Sequence, residues 1–179
     1  MLKKYGWLIA LLLMAAFYIG RYLYFMPKFT NGREAPNFTA QLRDGSAFEL
    51  SDLQGQYVLL DFWGSWCGPC RVQNPSIVAL HQQYANQQFE DGNGLVVVNV
   101  GVERDSSRWA NAIAKDQLNW RYHIMDQSSS LKFFNGPVAD LYGIAEVPTS
   151  YLIDPQGQII GVNMHAEQVA RLLDQRLSK

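Results

Sequence analysis

The chain has 179 residues, 48% of them hydrophobic and 17% charged, with a formal net charge of −1, which is material for one domain with a substantial core. The near-neutral total hides a division: residues 1–34 hold five basic groups and one acid, leaving ten basic and fifteen acidic from residue 35 onward, a balance of −5. A mildly acidic domain with no basic run among aromatics excludes a general nucleic-acid surface.

Lys3 and Lys4 open the chain, and YGWLIALLLMAAFYIG follows without a charge from Tyr5 to Gly20. The apolar character resumes after Arg21, so the stretch Tyr5 to Met26 gives 22 residues, enough to cross a bilayer as one helix. The basic start keeps residues 1–4 cytoplasmic and sends the rest across. Tyr5 and Trp7 at one end and Tyr22 and Tyr24 at the other suit the interfacial belts, and Arg21 snorkels to the outer headgroups. A cleaved signal peptide shares the basic start and apolar core. Hydrophobicity runs on past Met14-Ala15-Ala16 without a small-x-small pattern and a polar follower, which favours a retained anchor over 5–26. No cysteine follows, so a lipid-anchored N-terminus is excluded. Residues 27–36, PKFTNGREAP, have proline at both ends and read as a tether, and one domain is expected over 37–179.

Within that domain Asn37–Leu42 and Ala47–Leu50 flank Asp44-Gly45, a hairpin signal. Val58-Leu59-Leu60-Asp61-Phe62-Trp63 is an apolar strand interrupted by one acid, and a buried carboxylate is costly unless neutral or paired. The alternative is a surface-facing acid on an edge strand. Trp66-Cys67-Gly68-Pro69-Cys70 follows, with the chain's only cysteines at a strand-to-helix junction. Unpaired N–H groups and the positive end of the peptide dipoles lower a thiol's pKa there. Cys67 is therefore the expected nucleophile, and Cys70, one turn on, the resolving thiol. A structural bridge closing so short a loop removes little chain entropy, and a zinc site lacks a second Cys-x-x-Cys or His-x3-5-His.

The helix after Cys67 is expected to reach the mid-eighties, kinked at Pro75. Leu95–Val102 reads as a strand buried on both faces, Ser107–Gln117 as a helix, Arg121–Met125 as a short strand and Val138–Tyr142 as a helical turn. Thr149–Ile153 and Gln158–Val162 form a hairpin through Asp154-Pro155-Gln156-Gly157, and His165–Leu177 is an amphipathic helix burying Val169, Leu172 and Leu173. His81, His123 and His165 bear no spacing relation to each other or to the cysteines and read as structural or surface residues, so neither metal nor cofactor is expected.

Ala35-Pro36-Asn37-Phe38, the block LLDFWGSWCGPCR from Leu59 to Arg71, and Val147-Pro148-Thr149 before Leu152-Ile153-Asp154 together resemble the membrane-anchored TlpA/ResA-like thiol-disulfide oxidoreductases of bacteria, over roughly 34–177. The resemblance implies an α/β thioredoxin-like fold: a mixed central sheet flanked by helices, with an N-terminal β-hairpin and a central insertion within Ser106–Gly143, here after one transmembrane helix. It implies that Val147-Pro148 is a cis-proline pair facing the cysteines, although a trans proline opening a strand fits the same residues. It makes Asp61 the buried acid beneath the dithiol that takes the proton from Cys70. It places Trp66, Gly68, Pro69 and Val147 along the substrate groove, with Trp63 a packing residue. Relatives carry a glutamate three residues after the second cysteine where this chain has Gln73, so that acid's role is not carried over. Arg71 promotes the thiolate only if it points back to Cys67.

The implied activity is protein-disulfide reduction on the periplasmic side of the cytoplasmic membrane. Its partners would be disulfide-containing exported proteins such as apocytochrome c, and a membrane thiol-reducing electron donor. Gly-Pro between the cysteines is thioredoxin's own dipeptide, and thioredoxin's potential near −270 mV sets the expected direction as reduction. A thiol peroxidase and a redox-inert, holdase-like binding module using the same groove are the alternatives from other classes.

Overall fold

A computed structural model describes residues 2–26, 28–129 and 134–178, with side chains from residue 7 onward. Pro27, the side chains of Lys3, Lys4 and Tyr5, residues 130–133 of the expected insertion and Lys179 lie outside the described residues. Helix α1, Leu2–Tyr24, is long and apolar enough over Trp7–Tyr24 to cross a membrane, and its side chains there are exposed. Arg21 lies 4.9 Å from the centre of the Phe25 ring, near the helix's C-terminal end.

The domain is built on a five-stranded sheet. Strands β1 (Thr39–Gln41) and β2 (Ala47–Glu49) form a separate antiparallel hairpin across the Asp44-Gly45 turn. There the Asp44 carboxylate accepts the Ser46 N–H and Gly45 takes a positive φ of 86°. A 3₁₀ turn, Leu50–Leu53, follows it. Strand β3 (Tyr57–Trp63) leads into helix α2 (Gly68–Tyr84), which contains Pro75 on an exposed position. Strand β4 (Leu95–Glu103), helix α3 (Ser106–Lys115), strand β5 (Tyr122–Gln127) and helix α4 (Pro137–Tyr142) come next. Strands β6 (Thr149–Ile153) and β7 (Ile159–Val162) and helix α5 (Ala166–Asp174) end the fold.

Sheet order is β5-β4-β3-β6-β7, with β3, β4 and β5 parallel and β6 and β7 antiparallel to their neighbours. This is the expected mixed sheet, and β3 is buried along its whole length because a strand pairs on each edge and helices cover its faces. One face of the sheet packs on the hairpin, the 3₁₀ turn and α4 through Phe38, Phe48, Leu50, Val138 and Tyr142. The other packs on α2 and α5 through Ile77, Leu80, Val169 and Leu173, and on α3 through Trp109 and Ile113.

Most element boundaries differ from expectation by one or two residues, and the end of the last helix differs by three. Helix α5 stops at Asp174 rather than Leu177 because the next residues are taken by the loop after α2: Glu90 N–H donates to the Arg176 carbonyl and Ser178 N–H to the Gln88 carbonyl. Strand β7 begins at Ile159 rather than Gln158. Residues 28–36 lie along the domain. Gly32 N–H donates to the Ile159 carbonyl, Ile159 N–H to the Arg33 carbonyl and Ala35 N–H to the Gly157 carbonyl, so this segment pairs with the edge of β7. Phe29 packs edge-on against Tyr142, whose hydroxyl donates to the Pro36 carbonyl at 2.7 Å.

Candidate active site

The cysteines sit where β3 ends and α2 begins. The chain leaves Trp63 and turns through Gly64-Ser65-Trp66, with Cys67 N–H donating to the Gly64 carbonyl at 3.0 Å. Pro69 occupies the first turn of α2, where its missing N–H would have had no helical partner. Cys67 is the N-cap residue, and its sulfur accepts the Cys70 N–H at 3.1 Å. A helix N-terminus thus aims a donor and its dipole at the Cys67 sulfur, the arrangement that stabilises a thiolate.

Cys67 and Cys70 are joined as a disulfide and both are buried, packed among Trp63, Trp109, Ile113 and Leu118. The Val147–Pro148 peptide is cis, and the Val147 carbonyl oxygen lies 3.7 Å from Cys67 Sγ. Gly68 and Pro69 are exposed on the rim. Trp66 is half-buried; its indole N–H donates to the Val102 carbonyl at 2.9 Å and its ring stacks on Phe134 at 6.2 Å between centres. Of the residues expected along the groove, Trp66, Gly68 and Pro69 flank Cys67 in the chain, and the cis Val147–Pro148 peptide brings the Val147 carbonyl to the Cys67 sulfur.

Asp61 faces the same side of the sheet as Trp63 and is 1% exposed. The Asn99 amide donates to its Oδ2 at 2.7 Å, while among the described residues Oδ1 has no partner. Burial pushes its carboxyl up to about 7, with the Asn99 bond pulling weakly the other way. The strand register extends this polar spot. Ser150 pairs with Asp61, Asp61 with Asn99 and Asn99 with His123, so four buried polar side chains form a row across β6, β3, β4 and β5 on one face. His123 Nε2 donates to the Leu118 carbonyl at 3.0 Å, its ring stacks on Trp120, and burial lowers it to about 4, so it is neutral at pH 7. His81 packs against the same tryptophan with ring centres 5.2 Å apart, and His165 is the N-cap residue of α5.

Arg71 is committed elsewhere than the thiols. Its guanidinium forms an ion pair with Asp116 at the end of α3 and reaches the Ser65 carbonyl at 3.4 Å. Asp116 also accepts from Asn74 at 2.7 Å; burial would raise its carboxyl, but Arg71 and Asn74 outweigh it and hold the group below the ordinary carboxylate range. Gln73 is half-buried on α2. Sequence reasoning missed Asn99, Glu103, Asp116 and Phe134. The signals were the lone polar residue inside LVVVNVGVE and the acid at its end, both easily read as strand punctuation. Among the described residues, no group of three or more His, Cys, Asp or Glu is placed to hold a metal ion.

The pattern of the AhpC/TSA family matches residues 31–162. The chain is 32% identical over 133 residues to the thiol-disulfide oxidoreductase ResA of Bacillus subtilis, spanning 74% of this chain and 66% of that protein. It is 32% identical over 170 residues to the thioredoxin-like protein YneN of the same organism, spanning 92% of this chain and 91% of that one. Among solved structures, the thioredoxin domain of a thiol-disulfide oxidoreductase from Bacteroides vulgatus is similar with a TM-score of 0.68 at 25% identity, covering 82% of this chain and 99% of that one. With a thioredoxin-like fold and a Cys67–Cys70 pair at the head of α2, this chain belongs to the AhpC/TSA family and, within it, to the ResA-like thiol-disulfide oxidoreductases, enzymes of thiol-disulfide exchange.

Proposed function

We propose that this protein is an extracytoplasmic disulfide reductase held on the cytoplasmic membrane by residues 5–26, with 27–36 joining the anchor to a catalytic domain over 37–179. The observation that carries the reading is the Cys67 sulfur at the N-cap of α2, accepting the Cys70 N–H just beyond the strand that buries Asp61. The Cys67 thiolate attacks a partner disulfide, forming a mixed disulfide and releasing one partner thiolate. Asp61 takes the proton of Cys70, whose sulfur then attacks Cys67 Sγ. The second partner sulfur leaves and is protonated. Two electrons have passed to the partner, and the enzyme is left as the Cys67–Cys70 disulfide seen in the structure.

Pro148 and Val147 form the wall opposite the sulfur, and an extended partner segment lies against the Val147 backbone beside Trp66, Gly68 and Pro69. Substrates are disulfides of exported proteins, with apocytochrome c the type the family resemblance suggests, and a membrane dithiol donor returns the enzyme to its reduced state. The helix length and composition of α1 support anchoring.

The reduction potential of the Cys67–Cys70 couple in the full chain tests the direction: a value at or below about −220 mV supports a reductase, and one near −120 mV makes the protein a disulfide-forming oxidant. Cys67→Ser should abolish exchange, while Cys70→Ser should accumulate mixed disulfides with partners. Full function in Cys67→Ser would favour the binding-module reading, and peroxide turnover by the same dithiol would favour a thiol peroxidase.

A further inference from the structure

Glu103 is a buried acid with no place in the exchange steps above. It is the last residue of β4, 2% exposed, at the end of the parallel strands where β3 hands the chain to the cysteines. Trp63 pairs with Gly101, so Glu103, two residues on, projects to the same side as Asp61, Trp63 and the disulfide. Its carboxylate accepts the Ser65 N–H. Arg71 reaches the carbonyl of that same Ser65 at 3.4 Å, and the neighbouring Trp66 indole is tied to Val102, the residue before Glu103. Both backbone groups of Ser65 and the side chain of Trp66 are thus fixed by the end of β4 and by the start of α2, immediately before Cys67.

The charge around this carboxylate is poorly matched. Arg108 and Asp105, from the start of α3, act on it in opposite directions, and Arg71 is already paired with Asp116. Among the described residues Glu103 has no ion-pair partner, and burial pushes its carboxyl above the ordinary range, opposed by the Ser65 bond. Extended, two residues of chain span about 7 Å, and here the Cys67 N–H bond to the Gly64 carbonyl folds them into a turn, so this anionic group lies roughly 10 Å from the Cys67 sulfur.

We propose that Glu103 is a further positioning residue of the exchange reaction: it holds the loop that delivers Cys67, and its negative charge disfavours the Cys67 thiolate and so keeps the couple reducing. The inference rests on Cys67 being the nucleophile and is independent of which partner is reduced. At an effective dielectric near 20, like charges about 10 Å apart change the thiolate equilibrium by up to roughly tenfold. The effect on the reaction runs through the sulfur that attacks. A less available thiolate in the reduced enzyme destabilises the dithiol relative to the disulfide, which is a more negative potential.

The test is the pH profile of iodoacetamide alkylation on the reduced full chain, with the labelled cysteine located by mass spectrometry, for the wild type, Glu103→Gln and Glu103→Asp. Glutamine keeps an acceptor for the Ser65 N–H and removes only the charge. The expected result is a midpoint about one pH unit lower in Glu103→Gln, alkylation several-fold faster at pH 7, and a couple less negative by up to about 30 mV, the equivalent of tenfold for two electrons. Glu103→Asp, which keeps the charge, should restore the wild-type profile. A Glu103→Gln profile that coincides with the wild type while Cys67 carries the label overturns the proposal and leaves the exchange reading intact. Should Glu103→Gln not fold, a Glu103→Asp midpoint as low as that of a refolded Glu103→Ala control would overturn it equally. Label on Cys70 instead of Cys67 overturns both.

Discussion

The two faces of the central sheet are made by alternate residues of the same strands, yet they differ in kind. Val58, Leu60 and Phe62 of β3 and Val98, Val100 and Val102 of β4 point to the hairpin and α4, into a continuous apolar layer with Tyr142 and Tyr151. Tyr57, Leu59, Asp61 and Trp63, with Val97, Asn99, Gly101 and Glu103, point to α2, α3 and α5. That second face begins as apolar core and becomes polar, then reactive, toward the C-terminal ends of the strands. One face stores stability, and the other gives some of it up so that a carboxylate and two sulfurs can sit out of water. A period of two along the strand is what lets one segment serve both ends.

Substitutions on each face sharpen that division. The largest expected loss is on the apolar face: Phe62→Ala, fully buried against Tyr142 and Tyr151, should cost about 3–5 kcal/mol in denaturant unfolding while leaving the potential and the alkylation profile of Cys67 unmoved. Asp61→Asn on the opposite face should act with the other sign. The Asp61 carboxyl titrates near 7 folded and near 3.9 unfolded, so between those values the folded state binds more protons and stability falls as pH rises. The cost is complete above pH 7, at about 4 kcal/mol, and absent below pH 4. The asparagine variant should therefore be more stable than the wild type at pH 8 and equal to it at pH 4, while releasing reduced partner more slowly. Equal stabilities at both pH values would break the comparison. The smallest effect belongs to Tyr142→Phe, which removes only the hydroxyl bond to the Pro36 carbonyl and should cost about 1 kcal/mol with exchange rates unchanged.

Much of the second face was legible in the sequence because its chemistry is local. Cys67 and Cys70 stand a helical turn apart, Asp61 interrupts an apolar run, and the turn residues Asp154-Pro155-Gln156-Gly157 announce the hairpin that places Pro148 nearby. What could not be read depends on register between strands far apart in the chain. Asn99 is 38 positions from Asp61, and only the alignment of β4 beside β3 makes it that acid's donor. Asp116 became the partner of Arg71 because the end of α3 meets the start of α2, whereas Arg71 alone left open whether its charge points back to Cys67 or into solvent. The end of α5 was missed for a similar reason, since its last residues would continue the helical pattern had the loop at 88–90 not taken their backbone groups.

The pairing of residues 32–35 along β7 bears on how often the dithiol meets a partner. For a chain anchored by α1, four residues lie between Tyr24 and Phe29, the first side chain packed on Tyr142, and the five steps reach at most about 18 Å. On the anchored reading a docked segment would not pay out as slack, and the domain would explore a thinner layer over the bilayer than a free tether allows. Confinement of that kind raises the effective concentration of the dithiol toward cysteines in the same membrane into the millimolar range, without any added contact between the proteins. The docked segment also covers the start of the β7 edge, from Gly157 to Ile159, against pairing with other strands.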